Sequence, residues 1–234
     1  MRLSGKIVVV ISAQTEWKRV KDALKPGTLA AIPYGESFEH IVEGEALTFF
    51  HGGWGKIDAA ASSQFIISEW SPVLLINLGT CGGIKGRVQK GEVFLIERTI
   101  VYDIFERIAD AEEAIRHYQT EIDLSWIGKS VPAGVSRATI LSADRDILPQ
   151  DVAELVRKYD AKIVDWESAS IARVCRLNRV PCLILRGVSD LVDARGGEAY
   201  EGNMAAYQAG TESIMPRLLE ALPEWVKLFR HKNG

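Results

Sequence analysis

Three carboxylic acids follow apolar runs of the sequence and have the chemistry to move protons. Glu16 lies in "SAQTEW" after the first apolar run, Glu167 lies in "DWES", and Asp190 lies in "GVSD". Each has an ordinary structural interpretation: Glu16 and Glu167 as first-turn helix residues favoured by the helix dipole, and Asp190 as an N-cap. If the three acids converge on one sheet edge, different environments can divide acid and base roles among them. We therefore treat them as the candidate catalytic group.

Other common catalytic groups have no suitable pattern in this chain. The four histidines form no i, i+4 pair and no serine lies in a GxSxG turn, which removes the usual carriers of metal and acyl-enzyme chemistry. Cys81, Cys175 and Cys182 are odd in number and widely spaced, which indicates buried thiols in a reducing compartment. "GGWGK" is not a phosphate loop because Ile57 follows Lys56, and no GxGxxG follows the first apolar run. We expect no metal and no cofactor.

Apolar runs rich in β-branched residues alternate with segments of helical spacing. Unbroken runs predict strands covered on both faces, and the alternation predicts the α/β class. The predicted strands cover residues 6–12, 46–52, 73–79, 92–98, 162–166 and 181–187, and the predicted helices are Glu16–Leu24, Lys56–Trp70, Pro149–Tyr159, Ser168–Asn178 and Met204–Leu228. The polar segment 103–131 is compatible with a helix or a long surface loop. No repeat or linker divides the chain, so we expect one domain over residues 1–234.

Composition narrows the class of partner. With 234 residues, 47% of them hydrophobic, the chain can bury a sizeable core, and its formal net charge of -3 disfavours a nucleic-acid or membrane-surface binder. The apolar run near the N-terminus spans about six residues, too few for a signal peptide or a membrane span. We expect a cytoplasmic protein that acts on a small molecule and binds neither nucleic acid nor membrane.

The ends of the predicted strands supply further polar and glycine residues. In open α/β sheets, ligands bind where the chain leaves a strand for the next helix. Besides the three acids, these exits hold Trp54 in "HGGWGK", Thr80 and Gly82 in "NLGTCGG", and Ser189 in "GVSD". Glycines let backbone N–H groups approach a ligand closely, although the same glycines also suit a plain tight turn. Together the exits predict one ligand-binding cleft.

Several of these segments resemble motifs of the purine nucleoside phosphorylase and nucleosidase superfamily, most closely the 5′-methylthioadenosine/S-adenosylhomocysteine nucleosidases. "VDWESASIA" is similar to the motif V-E/D-M-E-x-A-A-I-A, and "LRGVSDLVD" to V-R-A-I-S-D-x-A-D. "NLGTCGGI", "GGWGK" and "SAQTEW" resemble the shorter motifs G-S/T-A/C-G-G, G-I-G-K and A-M-x-x-E. The resemblance spans most of the chain. It implies a three-layer α/β/α fold with a central mixed, partly barrel-like sheet, and a homodimer.

The resemblance also implies a role for each matching residue. Asp190 matches the acid that protonates the purine at N7, with Ser189 orienting it. Glu16 matches the acid that activates the attacking water, and Glu167 matches the residue that binds the ribose hydroxyls. The implied sugar and base pocket is lined by Thr80, Cys81, Gly82, Trp54 and Trp166.

The implied reaction is hydrolysis of the N-glycosidic bond of an adenine-type nucleoside such as 5′-methylthioadenosine or S-adenosylhomocysteine. One acid at the base and another at the water suit a cleavage that passes through an oxocarbenium-like sugar. Related phosphorylases carry a phosphate-binding arginine before the glycine-rich loop, where this chain has Asn77 and Leu78, so water is favoured as nucleophile. Two alternatives stay open: a phosphorylase that uses Lys18, Arg19 or Arg186, and a non-catalytic nucleoside-binding protein.

Three positions depart from the motifs near the implied substrate. Trp54 stands where isoleucine is usual, Trp166 stands where methionine is usual, and Asp146 falls where an aromatic ring that stacks on adenine is expected. Two indoles reshape the sugar pocket, and an acid is a poor substitute for a stacking ring. The identity of the nucleoside therefore stays open. We predict that Arg186 is structural, in a buried ion pair with a carboxylate such as Glu167 or Asp193.

Overall fold

The computed structural model describes residues 5–128 and 131–233 and confirms the α/β class. Within these residues, all eleven strands belong to one mixed sheet. The strands are β1 (Ile7–Ile11), β2 (Ala30–Ile32), β3 (Gly35–Val42), β4 (Glu45–His51), β5 (Leu74–Ile84), β6 (Val93–Val101), β7 (Thr120–Glu121), β8 (Val135–Ser142), β9 (Ile163–Asp165), β10 (Cys182–Asp193) and β11 (Gly196–Gly197). One continuous sheet agrees with the expected single domain, which stays a prediction.

Helices lie between many of the strands, as the helical spacing predicted. They are α1 (Gln14–Leu24), α2 (Gly55–Trp70), α3 (Ala111–Tyr118), α4 (Val152–Tyr159), α5 (Ser168–Asn178) and α6 (Met204–Asn233). Each predicted helix is present, but the segment Pro149–Tyr159 begins with a 3-10 turn at Pro149–Asp151 before α4. In the part of the chain that the structure describes, no helix is long and apolar enough to cross a membrane.

Part of the sheet closes on itself. β5 pairs with β10 on one side and with β9 on the other, β9 continues to β8, β8 continues to β6, and β6 returns to β10. This ring is the barrel-like part that the resemblance implied. From β5 the sheet also extends through β1, β4 and β3 to β2. Neighbouring strands are parallel in some pairs and antiparallel in others, so the sheet is mixed, as expected.

Two layers of helices cover the sheet because β1 is apolar on both sides. Ile7, Val9 and Ile11 belong to a core shared with α1 and α6, whereas Val8 and Val10 belong to a second core shared with α2 and α5. All five side chains are fully buried. A strand that is apolar on both faces needs a helix layer on each side, which gives the α/β/α arrangement.

The structure corrects the predicted context of two polar segments. β5 runs to Ile84 and β10 runs to Asp193, so Thr80, Gly82 and Asp190 lie inside strands and not in the turns after them. The interpretations of "GTCGG" as a tight turn and of Asp190 as an N-cap are therefore wrong. β5 and β10 pair with each other along this stretch. Their hydrogen bonds satisfy backbone N–H and C=O groups that would need other partners in a turn.

Five strands were not predicted: β2, β3, β7, β8 and β11. β3 and β8 mix exposed, half-buried and buried residues, so they lack the unbroken apolar run on which the prediction relied. The undecided segment 103–131 is mainly loop and contains α3 and β7. Residues 129 and 130 of that segment lie outside the described residues.

Candidate functional site

Glu16 lies in the first turn of α1, as predicted, with its carboxylate directed at β5. The Thr80 N–H and hydroxyl donate to Glu16 Oε1 at 2.6 and 2.7 Å, and the Ala13 N–H donates to Oε2 at 3.4 Å. Glu16 is only 4% exposed. Burial raises the pKa of Glu16, while the charge of Arg186 and the hydrogen bonds from Thr80 act in the opposite direction. A fixed carboxylate with a raised pKa suits a general base.

Arg186 is a fully buried cation in the middle of β10, and its partner corrects the prediction. Arg186 Nε donates to Asp165 at 2.9 Å, and Nη2 donates to Asn77. The predicted buried ion pair with a carboxylate is present, but the two partners named as examples, Glu167 and Asp193, are wrong. Asp193 lies seven residues further along the same strand, about 23 Å away at the usual rise of a strand. Burial disfavours the cation, but the surrounding carboxylates, Asp165 first, raise the pKa of Arg186.

Gly79 leaves the space in which Arg186 and Glu16 face each other. A Cβ at Gly79 would lie 2.8 Å from Arg186 Nη1 and 3.0 Å from Glu16 Oε1. Nη1 also makes a long hydrogen bond, 3.4 Å, to the Leu185 carbonyl. The guanidinium therefore has donor capacity left for a small group bound beside Glu16.

Glu167 reaches the same region from a strand that runs in the opposite direction. β9 is antiparallel to β5 and pairs Val164 with Gly82, so the turn after β9 returns to the middle of β5. Glu167 is the N-cap residue of α5 and not a first-turn residue, and Glu167 Oε1 accepts a 3.0 Å hydrogen bond from the Gly55 N–H. Burial and the charge of Asp165 raise the pKa of Glu167 to about 8.

Asp190 follows an irregularity in the pairing of β10 with β5. The register shifts between Val188 and Asp190, which leaves Ser189 as an extra residue, and such bulges redirect side chains. The Ser189 hydroxyl donates to Asp190 Oδ1 at 2.6 Å. Burial raises the pKa of Asp190, the Ser189 hydrogen bond opposes this, and the nearby charges of Glu198 and Asp146 add to the rise. A carboxyl group with a raised pKa suits a general acid.

Cys81 lies among the charges of the site. The charges of Arg186, Asp165, Asp190 and Glu16 all act on its thiol, which places these four groups around one point of β5. Burial raises the pKa of the thiol well above its usual value. The Cys81 thiol therefore stays protonated and lines the site without acting as a nucleophile. The other two cysteines are also free and buried, as predicted.

Two tryptophans stand beside Glu167. The indole rings of Trp54 and Trp166 are stacked, with centroids 4.9 Å apart and an angle of 23° between the planes. Trp54 caps the N-terminus of α2 just before Gly55, whose N–H binds Glu167, and Trp166 directly precedes Glu167. Trp54 is 63% exposed, so one side of the pair is open to solvent.

Three residues near the site were not among the predicted site residues. Asp165 joins Arg186 to the turn that holds Glu167. Tyr207, in the first turn of α6, interacts with Thr80, and burial and the charges of Glu16 and Glu167 raise its pKa. Tyr200 lies close enough to Asp190 for that charge to affect its pKa, and its hydroxyl donates to the Ile147 carbonyl at 2.9 Å. Of these three residues, only Asp165 could have been suspected from the sequence, because it lies two residues before the candidate Glu167.

Asp146 is exposed, and its charge acts on both Asp190 and Tyr200. The loop after β8 thus brings Asp146 towards Asp190, as the alignment of the motifs expected. The charges of this acid pair act on Tyr200, an aromatic residue from the segment after β11. A different part of the chain therefore supplies a ring on this side of the site.

The arrangement has two chemically different ends. Glu16, Arg186 and Thr80 form a polar end that can hold and deprotonate a small nucleophile. Asp190 with Ser189 forms the other end, where a carboxyl group with a raised pKa can donate a proton. Within the described residues, no group of three or more histidine, cysteine or acidic side chains is arranged to hold a metal ion.

A cavity lies elsewhere in the molecule. It has a volume of about 570 Å³ and includes Cys182, the first residue of β10, in its wall. Asp190 is eight residues further along this strand, roughly 26 Å away. The three acids therefore do not line this cavity.

Comparisons with known proteins agree with one another. A family profile described as "Phosphorylase superfamily" matches residues 6–222. The 5'-methylthioadenosine/S-adenosylhomocysteine nucleosidase of Maridesulfovibrio salexigens is 27% identical over 195 residues, which cover 77% of this chain and 84% of the relative.

Among solved structures, a mutant of the Helicobacter pylori MTAN with 5'-methylthioadenosine in the active site matches with a TM-score of 0.76 and 16% identity, over 95% of this chain and 100% of that chain. A futalosine hydrolase mutant of the same species matches with a TM-score of 0.74 and 17% identity, over 94% and 100%. Identities this low show a shared fold.

Proposed function

Because this chain belongs to the phosphorylase superfamily, we propose that it hydrolyses the N-glycosidic bond of an adenine-type nucleoside such as 5′-methylthioadenosine or S-adenosylhomocysteine. The observation that carries the proposal is the pair of acids beside β5, the buried Glu16 and the half-buried Asp190, whose charges both act on Cys81. Their environments differ: the first charge to act on the pKa of Glu16 is the cation Arg186, whereas the first charges to act on the pKa of Asp190 are the carboxylates Glu198 and Asp146. Such a difference separates a base from an acid.

Glu16 is the proposed general base. A water molecule bound beside Gly79 would be held by the Glu16 carboxylate and Arg186 Nη1, because both groups approach this glycine closely, about 3 Å from its Cβ position. The Thr80 hydrogen bonds hold Glu16 Oε1, which leaves Oε2 with only the long Ala13 contact to accept the proton of the water. Glu16 Oε2 therefore has a free lone pair that can accept a proton from the attacking water.

Asp190 is the proposed general acid at the purine. Protonation of the base turns it into a better leaving group, which is what the oxocarbenium-like transition state requires. The Ser189 hydroxyl donates to Asp190 Oδ1, which leaves Asp190 Oδ2 available to protonate the purine. Tyr200 is the ring that we propose to pack against the purine, in place of the aromatic residue expected near Asp146.

Glu167 is proposed to bind the ribose hydroxyls. Oε1 is held by the Gly55 N–H, so the carboxylate has a fixed direction and Oε2 is available to a diol. The walls of the sugar and base pocket are proposed to be Thr80, Cys81, Gly82, Trp54 and Trp166.

Water is favoured over phosphate by the charge balance. Arg186 is already paired with Asp165, and the Glu16 carboxylate adds a further negative charge beside it. A phosphate dianion in this place would face more negative than positive charge. The other two candidate cations offer little positive charge to a phosphate, because Lys18 is exposed and Arg19 pairs with Asp22 and Glu212.

We propose that the chain acts as a cytoplasmic homodimer. Four large apolar side chains at the start of α2 and in the loop after β6 are exposed: Trp54, Ile57, Phe105 and Ile108. The ion pair between Lys56 and Asp103, with Nζ–Oδ distances of 2.5 and 2.6 Å, brings the start of α2 and the loop after β6 together into one surface. We call these four residues the apolar patch. Such a patch on a monomer is typical of a protein interface, and a second copy of this chain is the partner that the family resemblance implies.

The product of the reaction tests the proposal. Purified protein is incubated with 5′-methylthioadenosine, with and without inorganic phosphate, and the sugar product is identified by mass spectrometry. We expect adenine and free methylthioribose in both conditions. A sugar 1-phosphate as the main product would make the protein a phosphorylase, and tight binding without any product would make it a nucleoside-binding protein.

A further inference from the structure

Asp165 has the most complete set of hydrogen bonds in the site. The Ser142 hydroxyl donates to Asp165 Oδ1 at 2.6 Å. Asp165 Oδ2 accepts from the Ser168 N–H at 3.0 Å, from the Ser168 hydroxyl, and from Arg186 Nε at 2.9 Å. A carboxylate that is buried with this many donors is held in one position.

These donors come from separate elements that meet at Asp165. Asp165 is the last residue of β9, Ser142 is the last residue of β8, and Ser168 is the first residue of α5. Arg186 lies in the middle of β10. Asp165 therefore fixes the turn that carries Glu167 and, at the same time, the cation that faces Glu16.

The orientation of Arg186 depends on this contact. Nε is held by Asp165 and Nη2 by Asn77, and because the guanidinium is planar, these two bonds determine where Nη1 points. Nη1 then lies beside Gly79, next to Glu16.

We propose that Asp165 is a positioning residue for the cleavage: it holds Arg186 and the first turn of α5 so that one buried cation serves both Glu16 and Glu167. Asp165 itself touches neither the nucleophile nor the sugar in this scheme and acts through its neighbours. The inference rests on the proposed function of Glu16 and Glu167.

Asp165 also sets the charge that these two acids experience. Its charge is a cause of the raised pKa of Glu167, second to burial, while Arg186 lowers the pKa of both Glu16 and Glu167. Replacement of Asp165 by asparagine removes a repelling charge from Glu167 and leaves the Arg186 charge uncompensated. Both carboxyl pKa values should then fall.

Other titratable groups also face the two acids, and they stay unchanged in this substitution. The groups are Tyr207 from α6, Cys81 from β5, and the Lys56 and Asp144 pair beside Gly55. Their contribution is common to the wild-type protein and the variant, so a difference between the two reports on Asp165.

The test compares Asp165→Asn with wild type in the pH dependence of kcat/KM for 5′-methylthioadenosine. We expect the acidic limb, where activity rises as the carboxylates ionise, to move to lower pH by roughly one unit. We also expect a larger change in kcat than in KM, because Asp165 no longer holds the Arg186 guanidinium in position. Asp160→Asn is the matched control, since Asp160 is an exposed acid at the end of α4 whose left-handed backbone suits asparagine. A limb that stays in place in a folded Asp165→Asn protein would overturn the proposal.

A second readout does not need turnover. In wild type, the raised pKa of Glu167 makes the free energy of unfolding fall as pH rises from about 5 to 9, and in Asp165→Asn this fall should shrink by roughly a third. If wild type cleaves no nucleoside, the proposed function fails, whereas this measurement still decides whether Asp165 controls Glu167. An unchanged fall contradicts the proposal.

A double variant covers the case in which Asp165→Asn does not fold. Asp165→Asn combined with Arg186→Met removes both charges of the buried pair, which is better tolerated than removal of one. Glu16 then loses the cation that lowers its pKa, so we expect the acidic limb to move to higher pH, opposite to the single variant. A limb that stays in place in the double variant also contradicts the proposal.

Discussion

The indole rings of Trp54 and Trp166 are stacked 4.9 Å apart, and both residues adjoin the hydrogen bond between Gly55 and Glu167. The stack joins the N-terminus of α2 to the turn before α5. It places a rigid aromatic wall beside the carboxylate that we propose to bind the ribose. Two side chains of this size reduce the room on the sugar side of the site.

The first prediction concerns this wall. Trp166→Met replaces a rigid indole with a smaller, flexible side chain. We expect kcat/KM for S-adenosylhomocysteine to rise by about tenfold relative to that for methylthioadenosine, because pocket differences of one or two carbon groups have effects of this size. Steady-state kinetics with both nucleosides measures the ratio. Trp70→Met, at the far end of α2, is the matched control, and an unchanged ratio in Trp166→Met contradicts the role of the wall.

The second prediction concerns the general acid. Asp190→Asn keeps the size of the side chain and an acceptor for the Ser189 hydroxyl but removes the proton that Asp190 can donate. We expect kcat to fall by about 100- to 10,000-fold, the usual contribution of a positioned acid. Binding of the nucleoside should change much less. Adenine release measured by absorbance gives kcat, calorimetry gives binding, and a variant with nearly full kcat would remove Asp190 from the mechanism.

Glu16 and Trp54 were placed correctly from the sequence because they follow parallel strands, where the strand-exit rule applies. Thr80 and Asp190 were selected for their functional groups, and the turn context predicted for them was wrong. Their glycine-rich neighbours indicated a turn, whereas long-range pairing of β5 with β10 makes them strand residues. Local propensity cannot anticipate a pairing between segments about a hundred residues apart.

Asp165 was missed for a related reason. The sequence gives neither the direction of β9 nor the strands beside it, so the contact with Arg186 was not predictable. A buried arginine signals that some carboxylate must be near, and the choice of Glu167 or Asp193 followed from the resemblance segment alone. Only the folded sheet identifies Asp165 as the partner.

The third prediction concerns the space at Gly79. A methyl group there would lie 2.8 Å from Arg186 Nη1 and 3.0 Å from Glu16 Oε1, so it would displace the two groups proposed to hold the water. For Gly79→Ala we expect a loss of kcat of at least about 100-fold, since small misplacements of reacting groups have effects of this size. Overpacking should also lower the free energy of unfolding by about 1–3 kcal/mol. Gly27→Ala is the control, because no atom lies within 4 Å of its Cβ position; normal kcat in Gly79→Ala would contradict the proposed water site.

The fourth prediction concerns the apolar patch. Phe105→Glu places a charge on a side chain that is 84% exposed in one copy of the chain. If two copies bury this patch, the charge loses its hydration, and we expect a monomer at micromolar concentrations. Light scattering coupled to gel filtration gives the mass, and Leu177→Glu is the control on an exposed apolar residue of α5. A variant that has the same mass as wild type contradicts the proposed interface.

The fifth prediction follows from the raised pKa of Glu167. Its folded pKa of about 8 lies above the ordinary value of 4.5, so the folded protein binds this proton more tightly than the unfolded chain does. The resulting stabilisation is fully present below pH 4.5 and is lost as pH rises through about 8, with a slope of up to about 1.4 kcal/mol per pH unit. Glu167→Gln removes the titration, so its free energy of unfolding should fall less than that of wild type between pH 5 and 9. Urea unfolding at each pH measures both curves, with Glu113→Gln, an exposed residue of α3, as the control. Parallel curves for wild type and Glu167→Gln would mean that Glu167 is already ionised at neutral pH in the folded protein.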